Sequence, residues 1–320
     1  MVIIDNDALT HILQSIEEKI GLSIERIVAE AKRKSGKDFI DKVLSGPKGF
    51  IARNLASKKV YEQLTSQVNM LGYGRAEVTA YTRKSFLEGR IESAYNGPAL
   101  TGDIAGAFES VEQKVGEYEF NVDEEGTLRL AIRASEGIRP EYENRFSYVP
   151  VDPLPGRNII ELCPSCRAPI ELGKQYEFDL NHGTIRERKT GHRVVLIGVM
   201  TLYNLFGELT SELGDEIPEM IMSIEKERVK GVIGSKGKEL DSSENGYIRY
   251  MKTLQLKGMG NGVMASINGQ QVKVRIDNPY YEPLLAGFIS GFYEITNQIK
   301  SRVKWTSGTV GFTEITVEPE

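Results

Sequence analysis

Soft metal ligands are scarce in this sequence: two cysteines and three histidines among 320 residues. Two cysteines cannot staple a chain of this size, which excludes the disulfide-framed class of exported scaffolds. The histidines, His11, His182 and His192, leave no Ser/His/Asp set for nucleophilic catalysis. A basic excess is missing too. Forty Lys and Arg face 45 Asp and Glu, for a net charge of -5 and a pI near 5.6. Phosphate neutralisation needs a basic surface, so no nucleic-acid partner is expected. No long apolar run exists either. "HRVVLIGVMTLYNLF" is shorter than the roughly 18 residues of a membrane span and is interrupted. "MVIIDNDALTHIL" carries acids where a signal peptide is basic. The expectation is a cytoplasmic protein with no membrane span.

What is present is internal likeness. "PALTGDIAGAFE", residues 98–109, returns as "PLLAGFISGFYE", residues 283–294, identical at six of twelve positions. An apolar stripe at Leu9, Ile12, Leu13, Ile16 and Ile20, closed by Gly21, returns as Leu202, Leu205, Phe206, Leu209 and Leu213, closed by Gly214. Spacings of three and four predict an amphipathic helix each time, with glycine in a left-handed cap. A second helix pattern follows both: Ile24, Ile27, Val28 and Ala31 against Ile217, Met220, Ile221 and Ile224. "GYG" at 72–74 matches "GMG" at 258–260, and "EGTLRL" at 125–130 resembles "SGTVGF" at 307–312. The order never changes, and the offset drifts only as loop lengths would make it.

These matches predict one repeat at 5–135, a linker and insert at 136–200, and a second repeat at 201–320. Each repeat reads as two helices, a less regular helical stretch, a β pair, a helix and a closing β pair. In the second copy the strands fall near 262–267 and 271–277 around the turn "NGQ", then near 301–305 and 309–317. Segregated helices and strands predict an α+β class: helices packed on a small antiparallel sheet, twice, with a β-rich, zinc-ribbon-like insert between. Pro98 and Pro283 suit helix starts. Glycines four apart strip one helix face of side chains, so another backbone can approach closely.

A helix pair, a hairpin, "LLAGFISGFYE" and a final β pair together resemble the 4-vinyl-reductase domain family. Its fold group also includes haem-based nitric-oxide-binding domains and small subunits of the Golgi transport-particle complex. The resemblance covers both repeats. It implies a small α+β domain enclosing an apolar small molecule, in a sensory or accessory role. Cysteines common near that family's closing strands are missing from both repeats. The haem branch's propionate clamp, Tyr-x-Ser-x-Arg, is missing as well, and His11, the one histidine in a repeat, has Asn204 as counterpart. Haem is not expected.

Three prolines in "YVPVDPLPGR" mark a linker. Beyond it, Cys163 and Cys166 flank Pro-Ser in the shape of a zinc knuckle. "KQYEFDL" and "TIRER" surround "NHG", a hairpin signal that carries His182, and His192 follows. The spacing C-x2-C-x15-H-x9-H makes Cys163, Cys166, His182 and His192 candidate zinc ligands. A ribbon that has lost its second knuckle explains the same residues without metal. The redox reading of C-x-x-C lacks a thioredoxin-like context.

"IGSKGKEL" at 233–240 lacks P-loop spacing, and G-x-G before a strand is not a dinucleotide turn. The most suggestive cluster is Tyr280, Tyr281, Phe288, Phe292 and Tyr293. Its first-repeat counterparts are Tyr95, Asn96, Asp103, Ala107 and Phe108. Rings with a few hydroxyls suit a small-molecule site, and equally an aromatic core. Two readings remain: a non-enzymatic ligand-binding sensory or accessory protein, or an interaction scaffold that engages a protein partner or forms a homo-oligomer. An enzyme of unknown reaction stands third.

Overall fold

The computed structural model describes residues 1–55, 57–137, 152–156, 160–165, 167–234, 240–306 and 311–320. The chain begins with β1 (Val2–Asp5), α1 (Asn6–Ile20), α2 (Glu25–Val43), α3 (Gly46–Leu55) and α4 (Ser57–Met70). Then come β2 (Arg75–Thr82), β3 (Phe86–Glu92), α5 (Gly97–Glu112), β4 (Val115–Val122) and β5 (Leu128–Ser135). The insert holds α6 (Ile170–Gln175), β6 (Tyr176–Asp179), β7 (Thr184–Glu187) and β8 (Arg193–Ile197). It leads into α7 (Val199–Leu213), α8 (Ile217–Ile233) and α9 (Glu244–Leu256). The chain closes with β9 (Asn261–Asn268), β10 (Gln271–Asp277), α10 (Glu282–Asn297), β11 (Ser301–Trp305) and β12 (Phe312–Pro319). The class is α+β. The hairpin expected around "NGQ" and the strand expected at 301–305 are present; the strand expected from 309 starts at 312 among the described residues.

Two compact units form. A central unit comprises Leu22–Tyr148 and Tyr176–Leu213; a terminal unit comprises Met1–Gly21, Val149–Gln175 and Gly214–Glu320. In the central unit four antiparallel strands lie in the order β2-β3-β5-β4. Leu87, Ile91, Leu128, Leu130 and Ile132 alternate with polar residues and are buried, as period-two patterning requires of a sheet covered on one face. Helix α5 packs along α2. Here the repeated glycines find their use. A Cβ at Gly102 would overlap the carbonyl of Ala29, and one at Gly106 the carbonyl of Arg33. Each helical glycine costs about 1 kcal/mol relative to alanine, and the close helix contact offsets it.

In the terminal unit the strands run β9-β10-β12-β11, the same order in their own numbering. Helix α10 packs along α8. A Cβ at Gly287 would come 2.7 Å from Glu225 Cβ, and one at Gly291 2.9 Å from the Lys226 carbonyl oxygen. The glutamate that ends the shared motif has one job in both units. Glu109 Oε1 accepts the Gly116 N–H at 3.0 Å, and Glu294 Oε1 accepts the Ser301 N–H at 3.0 Å. Each carboxylate fastens the turn from helix to strand.

Repeats are a matter of sequence likeness, compact units of packing, and the two divide the chain differently at α1 and at α7. Helix α1 packs on α8, and α7 packs on α2. The strand before each helix goes with it: the Ile3 N–H donates to the Lys257 carbonyl at 2.8 Å, and the Leu196 N–H to the Leu71 carbonyl at 2.9 Å. Thus β1–α1 stands in the terminal unit where β8–α7 stands in the central one. The "NHG" turn joins β6 to β7 as expected, with Phe178 opposite Ile185. Its Gly183, at φ 61°, approaches Gly74 so closely that a Cβ would overlap that backbone. The Gly74 N–H donates to the Gly183 carbonyl at 2.9 Å. "GYG" therefore serves close packing.

Candidate functional site

Helix α8 buries Ile217, Ile221, Ile224 and Val229. Glu225 and Arg228 fall on the same stripe. Glu225 is 1% exposed. Arg228 grips it with two bonds, Nε to Oε2 at 2.9 Å and Nη2 to Oε1 at 2.7 Å. Burial pushes the Glu225 carboxyl up and the Arg228 guanidinium opposes this. A bidentate geometry of this kind compensates part of the desolvation.

Rings surround the pair. Phe292 stacks on Tyr250 at 4.3 Å between centroids and meets Tyr247 edge-on at 5.0 Å. The Arg228 guanidinium lies 5.9 Å from the centre of the Phe288 ring. Tyr280 is buried; burial raises its hydroxyl well above the usual phenol range, and the Glu225 charge adds to that. Burial raises Tyr250 in the same way. Asp5 and His11 of β1–α1 lie within electrostatic reach of Glu225.

Of the five aromatic residues singled out in the sequence, Tyr280, Phe288 and Phe292 come together around the pair. Tyr293 is buried and donates its hydroxyl to the Gln270 carbonyl in the β9–β10 turn, 2.7 Å away. Tyr281 is buried in the position preceding α10. Sequence reasoning missed Glu225, Arg228, Tyr247 and Tyr250. Two charges inside the apolar stripe of α8 were the available signal for the pair.

The equivalent place in the central unit holds different chemistry. Lys32 Nζ reaches Asp103 Oδ2 at 2.9 Å, from α2 to α5. Tyr95 packs on Tyr73 with centroids 4.5 Å apart. Deeper between α4 and α5, Glu112 is 2% exposed. It accepts the hydroxyls of Tyr61 at 3.0 Å and Tyr81 at 2.9 Å, and the Lys84 N–H at 2.8 Å. A separate cleft of about 630 Å³ runs between α2 and β4. Tyr118 crosses its floor, donating to Glu30 Oε1 at 2.9 Å with the Arg33 guanidinium 5.9 Å from its ring.

The proposed metal ligands are placed as follows. Cys163 is half-buried; its N–H donates to the Ala168 carbonyl and its carbonyl accepts the Arg167 N–H, a tight reversal with Arg167 at φ 61°. Cys166 lies outside the described residues. His182 is exposed, with Nδ1 2.6 Å from Asp179 Oδ2, a contact that lowers the Asp179 pKa. His192 is exposed, and its N–H donates to Thr190 Oγ1 at 3.2 Å. Among the described residues no group of three or more His, Cys, Asp or Glu side chains forms a metal site. Among them, too, no helix is long and apolar enough to cross a membrane.

No family model and no curated protein matches the chain. Solved structures do. One is the phenol-responsive sensory domain of the transcription activator PoxR with phenol, at 15% identity and a TM-score of 0.36, covering 47% of this chain and 87% of that one. Another, from work on heme distortion in the H-NOX family, shows 12% identity and a TM-score of 0.29 over 39% of this chain and 73% of that one. A mutant H-NOX of T. Tengcongensis shows 9% identity and a TM-score of 0.29, covering 42% and 80%.

Proposed function

We propose that this chain binds a small, largely apolar molecule at the ring cluster of the terminal unit, as a sensory or accessory protein built from two 4-vinyl-reductase-type repeats. The observation that carries this reading is the wall of Tyr250, Tyr280, Phe288 and Phe292 around one buried ion pair. Apolar walls with a few convergent polar groups are what small-molecule sites use. The two bonds to Glu225 occupy only part of the guanidinium's five donors. A ligand with an aromatic body and one hydroxyl or carbonyl would meet both features.

Calorimetric titration of the full chain with phenol, toluene and benzoate tests this. Phenol is expected to bind best. Phe292→Ala should abolish binding of every ring, and Arg228→Met should erase the preference for phenol over toluene. Absence of heat with all three, together with no co-purifying small molecule in native mass spectrometry, overturns the reading. Zinc at the Cys163–Cys166 knuckle belongs to the same proposal and rests on ligand spacing. Elemental analysis of chelator-free protein should find about one equivalent, and less than about a tenth removes it.

A further inference from the structure

Among the described residues, strand β4 ends its sheet, so one side of its backbone faces no other described strand of that sheet. Which groups face out follows from one bond. The Gly116 N–H donates to Glu109 on α5, away from β5. Antiparallel strands turn alternate residues to alternate sides, so the N–H and C=O of Tyr118 and Phe120 face the same open edge. The cleft beside α2 is lined by every residue from Val115 to Phe120. Ala131, Arg133 and Ser135 of β5 line it as well, on the face that carries Glu117 and Glu119, so with α2 on the other side the cleft wraps around the strand's edge. On its other flank stand Glu25, Arg26, Glu30 and Arg33 of α2. An edge strand beside a helix, with a cleft between, is the geometry of strand addition.

We propose that this groove takes an extended segment of a partner protein in which basic and apolar side chains alternate. The Gly116 N–H is held by Glu109, so the edge opens beyond it, and at about 3.3 Å per residue the stretch Glu117–Phe120 matches a segment of about four. The two faces of β4 dictate the alternation. Tyr118 and Phe120 point to the α2 side and offer aromatic surface. Glu117 and Glu119 point to the opposite side and are exposed. Arg133 lies opposite Glu117 in the register, and Ala131 lies opposite Glu119. An added strand would set arginine or lysine against both glutamates and apolar side chains over the two rings. The same glutamates would face each other if two copies paired through β4, so the edge rejects itself while accepting a basic strand.

Fluorescence anisotropy of the full chain with a short labelled peptide alternating arginine with valine tests the groove at low salt. The alternating peptide is expected to bind at least about tenfold more tightly than one with the same residues in two blocks, since only alternation serves both faces. Added salt should weaken it. Glu117→Lys with Glu119→Lys should lower affinity by about tenfold or more. Phe120→Pro removes an edge N–H that β5 does not use, and should abolish binding while the fold persists. Phe292→Ala should leave peptide binding unchanged, which separates this site from the ring cluster. Equal affinity for both peptides, or full binding by the double lysine variant, overturns the proposal. So does self-association of the chain through β4 that the peptide fails to compete.

Discussion

The central and terminal units share strand order, the helix pair and the glutamate that fastens the last turn, yet they place their buried charge differently. In the central unit the pair bridges two helices, Lys32 on α2 with Asp103 on α5. In the terminal unit both partners sit on α8, because Glu225 and Arg228 are three residues apart. The consequence falls on the opposite helix. Asp103 must stay on α5 to answer Lys32, whereas α10 is released from that duty and carries Phe288 at the corresponding position. Ala107 is likewise answered by Phe292, and Leu64 by Tyr250. With Glu225 and Arg228 paired on α8, α10 answers that helix through Glu294, which meets Lys226 at 3.0 Å and Lys230 at 2.8 Å, and carries rings at positions 288 and 292. The sheet edges differ in the same spirit: β4 shows Glu117 and Glu119, and its counterpart β11 shows Arg302 and Lys304.

The largest expected effect breaks the pairs one at a time. Arg228→Met strands a carboxylate whose side chain is 2% exposed, and should cost about 3–5 kcal/mol in denaturant unfolding. Lys32→Met leaves Asp103, whose side chain is 26% exposed and can turn to water, so the cost should be about 1–2 kcal/mol. Replacing Glu225 by leucine along with Arg228 by methionine should recover most of the first loss. Equal costs for the two single variants would mean that the pairs are buried alike and the contrast is empty.

A smaller effect separates the helix contacts. A Cβ on Gly106 meets the Arg33 carbonyl, which cannot move without moving α2. Gly106→Ala should therefore destabilise by about 2 kcal/mol despite alanine's better helix propensity. At Gly291 the nearest atoms stand 2.9 Å from the added Cβ, and Val229 can yield. The Lys226 carbonyl stands at the same distance, so α8 must give by a few tenths of an ångström, against the outright overlap at Gly106, and Gly291→Ala should cost about 1 kcal/mol, read as a shift in unfolding midpoint.

What could be read in advance follows the range of the forces involved. The stripe of Leu9, Ile12, Leu13 and Ile16 is periodic within one helix, and all four are buried. The hairpin around Gly269 is fixed by its own turn, and both strands formed. Glycines four apart announced a close backbone, and the neighbour proved to be a helix. Which neighbour α1 chooses is another matter. Its stripe fits α8 and α2 alike, since those helices share a pattern, and no local signal separates the two. Glu225 and Arg228 interrupt the apolar stripe of α8, which is a local signal, but how deeply they are buried and which rings surround them is set by tertiary packing. That β4 comes last in its sheet among the described residues was equally illegible, since strand order is decided by pairings distant in sequence.

The smallest expected effect concerns one hydroxyl in each unit. Tyr61 and Tyr247 hold corresponding places on α4 and α9, and both are buried. Tyr61 donates to Glu112, whose counterpart on α10 is Asn297. The Tyr247 hydroxyl lies beside Thr296 and Asn297 without a well-formed hydrogen bond to either, and burial leads its pKa up to about 12. Removing a donor from a buried carboxylate forfeits a charge-assisted bond, so Tyr61→Phe should cost about 1.5 kcal/mol. Tyr247→Phe deletes a hydroxyl that returns little, and should change stability by less than about 0.5 kcal/mol in either direction. A loss at Tyr247 as large as that at Tyr61 would show that Asn297 answers its tyrosine as fully as Glu112 does. The polar interiors of the two units would then be equivalent, and their difference would be confined to the rings and the ion pairs.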